Sequence, residues 1–131
     1  MWIAVKNKIG EFIIMRRALG KVAEEAAVLF LQEKGIRILE RNFRSYYGEI
    51  DILAVQEETL LVIEVKMRSG KKYGTPAEAV DLRKQRKICH TFNYYRMKKK
   101  LTDDRKVRFD VIEVNRDFKC HWIKNAFEFR E

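Results

Sequence analysis

Residues 48–66 read GEIDILAVQEETLLVIEVK, two apolar runs parted by Glu57-Glu58. Each run is short and rich in Ile, Val and Leu, with apolar residues on both faces, as in a central strand of a sheet. Each also carries charge: Glu49 and Asp51 in the first, Glu64 and Lys66 in the second. Charge in such a run is costly unless it is paired or bound to a metal. Strand side chains alternate, so Glu49 and Asp51 share one face, and Glu64 and Lys66 share one face. An antiparallel hairpin centred on Glu57-Glu58 sets Asp51 opposite Glu64 and Glu49 opposite Lys66. A two-residue turn or a four-residue loop from Gln56 to Thr59 gives this register, although Glu-Glu is a poor two-residue turn. A three-residue loop would break it. Opposed side chains have Cβ atoms about 4.5–5.5 Å apart, so Glu49 can pair with Lys66. Asp51 and Glu64 repel unless one is protonated or a cation lies between them, and a hard divalent ion such as Mg²⁺ takes such oxygens. The bland alternative is an ordinary hairpin with a few edge charges.

Upstream, Ile36 to Arg44 reads as a strand, with Ile36 and Ile38 on one side. Before it, Arg16 to Lys34 has a helical period, with Ala23, Ala26, Ala27, Phe30 and Leu31 as its apolar stripe and Gly35 as its stop. Glu24 borders the stripe and can reach a site at the sheet edge, although by itself it reads more simply as a solvent-facing helix acid, while Glu25 points to water. Residues 1–15 are an N-terminal extension without a clear period, and 16–131 form one domain. Downstream, the polar loop after Met67 carries Arg68, Lys71 and Lys72. Thr75-Pro76-Ala77-Glu78 then marks a helix start, with an N-cap, a proline at the first position and an acid three residues after the cap. This second helix runs to about Met97, with Leu82, Gln85, Cys89 and Phe92 inward and Ile88 and Tyr95 beside them. Arg83, Lys84, Lys87 and Tyr94 form a basic face suited to phosphates, or simply a solvated one. Strands follow at Val107–Val114 and Phe118–Ile123. Asp110 inside the first reads as structural, pairing with Arg108 or capping a neighbour. The order α-β-β-β-α-β-β describes an α/β fold, a mixed sheet flanked by helices.

At 131 residues with 47% hydrophobic content, the chain is long enough for a real core. No apolar stretch reaches the roughly 18 residues of a membrane helix, and the opening segment is a poor signal peptide. Cys89 and Cys120 are far apart in sequence, which suits a reducing cytoplasm and argues against a zinc site. Twenty-eight Lys and Arg against nineteen Asp and Glu leave +9, a balance that suits a polyanionic partner, nucleic acid above all. His90 and His121 are the only histidines and neither adjoins the acids in sequence.

Phosphodiester hydrolysis needs a cation to polarise the phosphate and lower the pKa of a bound water. Two carboxylates supply ligands, and a lysine two residues on can hold or deprotonate that water. Asp51, then Glu64-Val65-Lys66, behind a helix carrying Glu24, resembles the PD-(D/E)XK nuclease superfamily, and within it the archaeal Holliday junction resolvases. Over residues 16–127 the chain is similar in more detail to the YraN-like family of bacterial proteins. That likeness rests on Ala23-Glu24, Arg41-Asn42, GEIDILAV, VIEVKMRS, Gly74-Thr75-Pro76, Lys84, RFDVI and Asn125-Ala126-Phe127.

The resemblance implies a restriction-endonuclease-like core and nucleic-acid binding. It implies that Asp51 and Glu64 hold Mg²⁺ or Mn²⁺, that Glu24 completes the site, and that Lys66 positions or activates water. The superfamily's usual proline before the first Asp is replaced by Ile50. Family likeness gives fold more surely than reaction. Three functions therefore compete. One is a Mg²⁺-dependent nuclease acting on DNA rather than RNA, on branched or structured forms in particular. The second is a non-catalytic nucleic-acid-binding module of the same fold. The third is a basic assembly protein whose central charges only pair with each other. Oligomeric state stays open, a homodimer included.

Overall fold

The computed structural model describes residues 8–68 and 80–131, the side chains of 8–14 excepted. The Thr75–Glu78 helix start and the Lys71 and Lys72 side chains lie outside the described residues.

Helix α1 spans Lys8–Glu33, so it begins inside the stretch that the sequence left unassigned. Ala23, Ala27, Val28 and Leu31 are buried, and the two alanines let the helix lie close on the sheet. It ends as its glycine predicts. Gly35 has φ 77°, Gly35 N donates to Gln32 O at 3.0 Å, and Ile36 N donates to Leu31 O at 3.0 Å. This is a Schellman closure, with Ile36 and Leu31 packed in one apolar cluster.

Strands β1 (Arg37–Arg44), β2 (Glu49–Gln56) and β3 (Thr59–Met67) form an antiparallel meander. Helix α2 (Leu82–Lys98) precedes β4 (Val107–Val114), which runs parallel to β3, and β5 (Cys120–Phe127) closes the sheet antiparallel to β4. The spatial order is β1-β2-β3-β4-β5. The element order matches the sequence reading, and β2 and β3 are interior strands. Alternation along β3 sends Leu61 and Ile63 into a cluster with α1, and Leu60 and Val62 into a cluster with α2. The helices thus cover opposite faces. Both register shifts place their extra residues in the outer strands, between Ile38 and Glu40 on β1 and opposite Phe109–Val111 on β5.

The hairpin register is the expected one, with Ile52 opposite Ile63 and Gln56 opposite Thr59. Its loop is the two-residue turn, made possible by a left-handed Glu57 at φ 55°. Two boundaries differ from expectation. Helix α2 starts at Leu82 behind its N-cap Asp81, whose carboxylate accepts from Lys84 N at 2.8 Å. Leu82, expected inward, is therefore a first-turn residue and half exposed. The last strand starts at Cys120 rather than Phe118, because Phe118 takes a left-handed φ of 59° in the turn after β4.

Buried Asp110 pairs with Arg108 through two bonds of 2.8 Å. It also accepts from Trp122 Nε1 at 2.9 Å and from Asn125 N at 2.8 Å. Asn125 has φ 54°, so Asp110 both pairs and caps, fixing the β5 irregularity.

Candidate metal and nucleic-acid site

The site forms where β1 and β2 change face and the β2–β3 ladder ends. Ile52 and Ala54 pack on the α1 side of the sheet, yet Ile50, two residues earlier, packs on the α2 side. The neighbouring strand changes face at the same level. Arg41 reaches Glu25 of α1 at 3.1 Å, while Phe43 joins the α2 cluster. Between them Asn42 adopts φ 52°, a left-handed conformation that Asn tolerates better than most residues. Asp51 lies at this change of face.

The β2–β3 pairing ends at Ile52 and Ile63. Beyond it, Val65 N donates to Asp51 Oδ2 at 2.8 Å, a side chain substituting for a strand carbonyl. Asp51 therefore points toward β3, in the gap between strands, rather than sharing one face with Glu64 as the plain hairpin predicted. Glu64 and Lys66 follow the β3 alternation onto the α2 side.

This position lets Asp51 meet acids from both sides. One carboxylate oxygen each of Glu24, Glu49 and Asp51 lie within 4.8 Å of one another. Glu64 adjoins Asp51 within hydrogen-bond reach. With its amide oriented to donate, Asn42 reaches Glu49 Oε1 at 2.7 Å and Glu24 Oε2 at 3.0 Å, and Arg44 Nε lies 3.7 Å from Glu49. Glu49, expected as a supporting residue, thus stands among the carboxylates. Glu25 is on the solvent side, as its helical angle predicted.

Glu24, Asp51 and Glu64, so close and partly out of water, resist ionisation. Burial, then the charge of Glu64, pushes Asp51 up to about 8, against the pull of the Val65 N–H. Burial also raises Glu24, with Asn42 opposing, and raises Glu64, with Lys84 opposing. Lys84 Nζ sits 3.2 Å from Glu64 Oε1 and is itself raised by that carboxylate.

Opposite oxygens around an octahedral Mg²⁺ are roughly 4.2 Å apart, twice a bond of about 2.1 Å. An all-oxygen set within 4.8 Å fits such an ion in kind and size. Its acids, held partly buried and mutually repelling, gain from a divalent charge.

The predicted phosphate-binding residues separate. Arg83 and Lys87 are exposed on α2. Lys84 leaves that group for the acid site. Arg68 turns inward, where its Nε donates to the wholly buried Glu113; Glu113 Oε1 lies 3.9 Å from His121 Nδ1. Glu113 is opposite Lys66 in the parallel β3–β4 register. Sequence reasoning passed over Glu113, although it carries the same signal as Asp51, a charge inside an apolar strand. Asn42 offered no comparable signal, since its role depends on a left-handed backbone.

Among the described residues no helix is long and apolar enough to cross a membrane. A family model described as "Uncharacterised protein family UPF0102" matches residues 23–114, which spans every element from the Glu24 turn of α1 to the end of β4. The chain is 44% identical over 109 residues to a UPF0102 protein of Persephonella marina, covering 83% of this chain and 92% of that one. It is 41% identical over 117 residues to one from Alkaliphilus oremlandii, covering 86% and 100%, and 44% identical over 115 residues to one from Clostridium botulinum strain Loch Maree, covering 84% and 94%. The chain belongs to the UPF0102, YraN-like family, within the restriction-endonuclease-like superfamily.

Proposed function

We propose that this protein is a divalent-metal-dependent nuclease that hydrolyses phosphodiester bonds in DNA, with Mg²⁺ or Mn²⁺ at the carboxylate cluster. The observation that carries the reading is the convergence of Glu24, Glu49 and Asp51 within 4.8 Å around a carboxyl raised to about 8. Metal-free, the arrangement stores repulsion that a cation would relieve.

A bound divalent ion would polarise the scissile phosphate and lower the pKa of a coordinated water. Glu24, Glu49 and Asp51 would supply ligand oxygens, and Glu64 would add one from the α2 side. The Val65 N–H fixes the direction of the Asp51 carboxylate, so the donor set is oriented before any ligand arrives. Asn42 steers the Glu24 and Glu49 carboxylates in the same way. Lys84 counters the effect of burial on Glu64 and favours its ionised form, the form that coordinates. Lys66, on the α2 side with Glu64, is suited to hold the attacking water or to steady charge on the phosphate.

The test is a cleavage screen of duplex, forked, four-way and single-stranded substrates with Mg²⁺ and Mn²⁺, run on wild type, Asp51→Asn and Lys66→Ala. The reading expects metal-dependent cleavage that both variants lose, with DNA binding retained by Asp51→Asn. Calorimetric titration of Mn²⁺ into wild type and Asp51→Asn adds a readout free of substrate choice. Wild type without cleavage and without Asp51-dependent metal binding would leave the non-catalytic nucleic-acid-binding module as the better account.

A further inference from the structure

Four residues, Ser45 to Gly48, link β1 to β2 at the end of the sheet where the acids collect, and they leave two tyrosines in water. Tyr46 is 99% exposed and Tyr47 52%. A lone exposed aromatic needs no explanation, but these rings are ordered against one another. Tyr46 stands edge-on to Tyr47, centroids 5.7 Å apart. Tyr47 lies nearly parallel to His90 of α2, at 5.1 Å and 27°.

The turn beneath them is tied down. Ser45 N donates to Gly48 O at 2.8 Å, Tyr47 N donates to Ser45 Oγ at 3.1 Å, and Ser45 Oγ bonds Thr91 Oγ1 at 3.1 Å. The Gly48 backbone runs along Lys87 and Thr91. An aromatic presented on such a braced turn has already lost much of the freedom that binding would cost.

Charge and position narrow the partner. Helix α2 contacts the acid cluster at Lys84 and the tyrosine turn at Thr91, with exposed Lys87 between. Seven residues of helix at about 1.5 Å each put these contacts about 10 Å apart. On the other side Gly48 alone separates Tyr47 from Glu49. Arg44, its side chain 78% exposed, flanks the turn. Flat rings beside cations, one short step from a carboxylate cluster, match what an unpaired nucleotide offers: a π-face and a phosphate. A paired duplex hides its base faces in the stack and offers only the phosphate.

We propose that the Tyr46–Tyr47–His90 step is a stacking platform for unpaired bases, so that the preferred substrates carry single-stranded nucleotides beside the bond to be cut. The occupant is a nucleic-acid strand, with Tyr46 as its outer contact and Lys87 and Arg44 on its phosphates. The proposal deepens the nuclease reading, from which it takes only the identity of the neighbouring site.

The test is fluorescence anisotropy in the presence of a chelator, so that no cleavage intervenes. The probes are a blunt duplex, the same duplex with an unpaired tail, and the tail strand alone, each in deoxyribose and ribose forms. Wild type should bind the tailed and single-stranded probes more tightly than the blunt duplex. Tyr46→Ala should lower the first two affinities by about tenfold, the scale of one stacked base, and leave the duplex unchanged. Tyr46→Trp should restore them. At 99% exposure Tyr46 is not needed for folding, and an unchanged melting curve checks this. The ribose series shows whether the platform also accepts RNA, and a Tyr46-dependent loss on either sugar supports stacking. Equal losses on tailed and blunt probes, no loss at all, or a Tyr46-dependent dimer in sedimentation would each overturn the proposal. Because binding is read without metal, its failure leaves Asp51-dependent cleavage standing, and absent cleavage leaves the binding result intact.

Discussion

Asp51 accepts a strand N–H, faces three other carboxylates and is held near 8 against an ordinary value of 3.8. The folded, metal-free chain therefore binds this proton more tightly than the unfolded chain. The stability that it contributes is fully present below about pH 4 and is lost as pH rises toward 8. Glu24 and Glu64 are raised as well and act in the same sense. Thermal melts in chelator should fall across that window, and Asp51→Asn should flatten the fall and melt above wild type at pH 8. The shift should be measurable, because about 1 kcal/mol moves Tm by roughly 2–8 °C in domains of this general size. Added Mn²⁺ should restore wild type but not the variant. Asp110 sets the contrast. It is fully buried, and all its partners depend on it: Arg108, the Trp122 indole and the Asn125 N–H. Asp110→Ala should cost about 3–5 kcal/mol, read from urea unfolding. An Asp110→Ala chain as stable as wild type would show that these partners find water instead.

At the scale of the element, the β2–β3 hairpin shows how far sequence reaches. Its strand runs and its register were legible, because alternation and the paired Glu57-Glu58 break admit few alternatives. The change of face at Ile50–Ile52 was not. It depends on Asn42 at φ 52° in a different strand, and a sequence pattern does not record a left-handed backbone. Glu49, Asp51 and Glu64 could be named from their charge in apolar runs, and Glu24 from its place beside the helical stripe and from the family likeness, but the way Asp51 lies between two faces could not. The Lys84–Glu64 ion pair was not legible, because a helical wheel gives the direction of Lys84 without saying that the end of β3 lies beneath it. The Arg68–Glu113 pair was hidden for the same reason: a basic residue after a strand looks solvated until the buried Glu113 beside it is known. The turn itself offers a test. Glu57 holds a left-handed φ of 55°, a conformation that costs an L-residue about 1–2 kcal/mol. Glu57→Gly should stabilise the fold by about 0.5–1 kcal/mol after the entropy cost of glycine, with cleavage unaltered, measured by chemical denaturation. A destabilised variant would mean that the Glu57 side chain contributes more than its backbone strain costs.

Over the whole molecule, an excess of +9 surrounds a local knot of acids. Phosphates should be drawn to the protein generally and repelled at the cluster until a cation is bound. DNA affinity should therefore fall steeply with salt, with a slope near −0.9 per phosphate contact. Arg83→Ala with Lys87→Ala should flatten that slope by up to about two contacts' worth and weaken binding across sequences. An unchanged slope would move the phosphate track off α2. The sheet has one further consequence, for self-association. Its two outer strands, β1 and β5, are the ones that carry the extra residues. Exposed Arg37, Arg41 and Arg44 line one border and exposed Lys124 the other. Bulged, charged borders are poor templates for another strand. The fold is thereby guarded against edge-to-edge growth into fibrils, and two copies that meet do so through helices or loops rather than by joining their sheets into one.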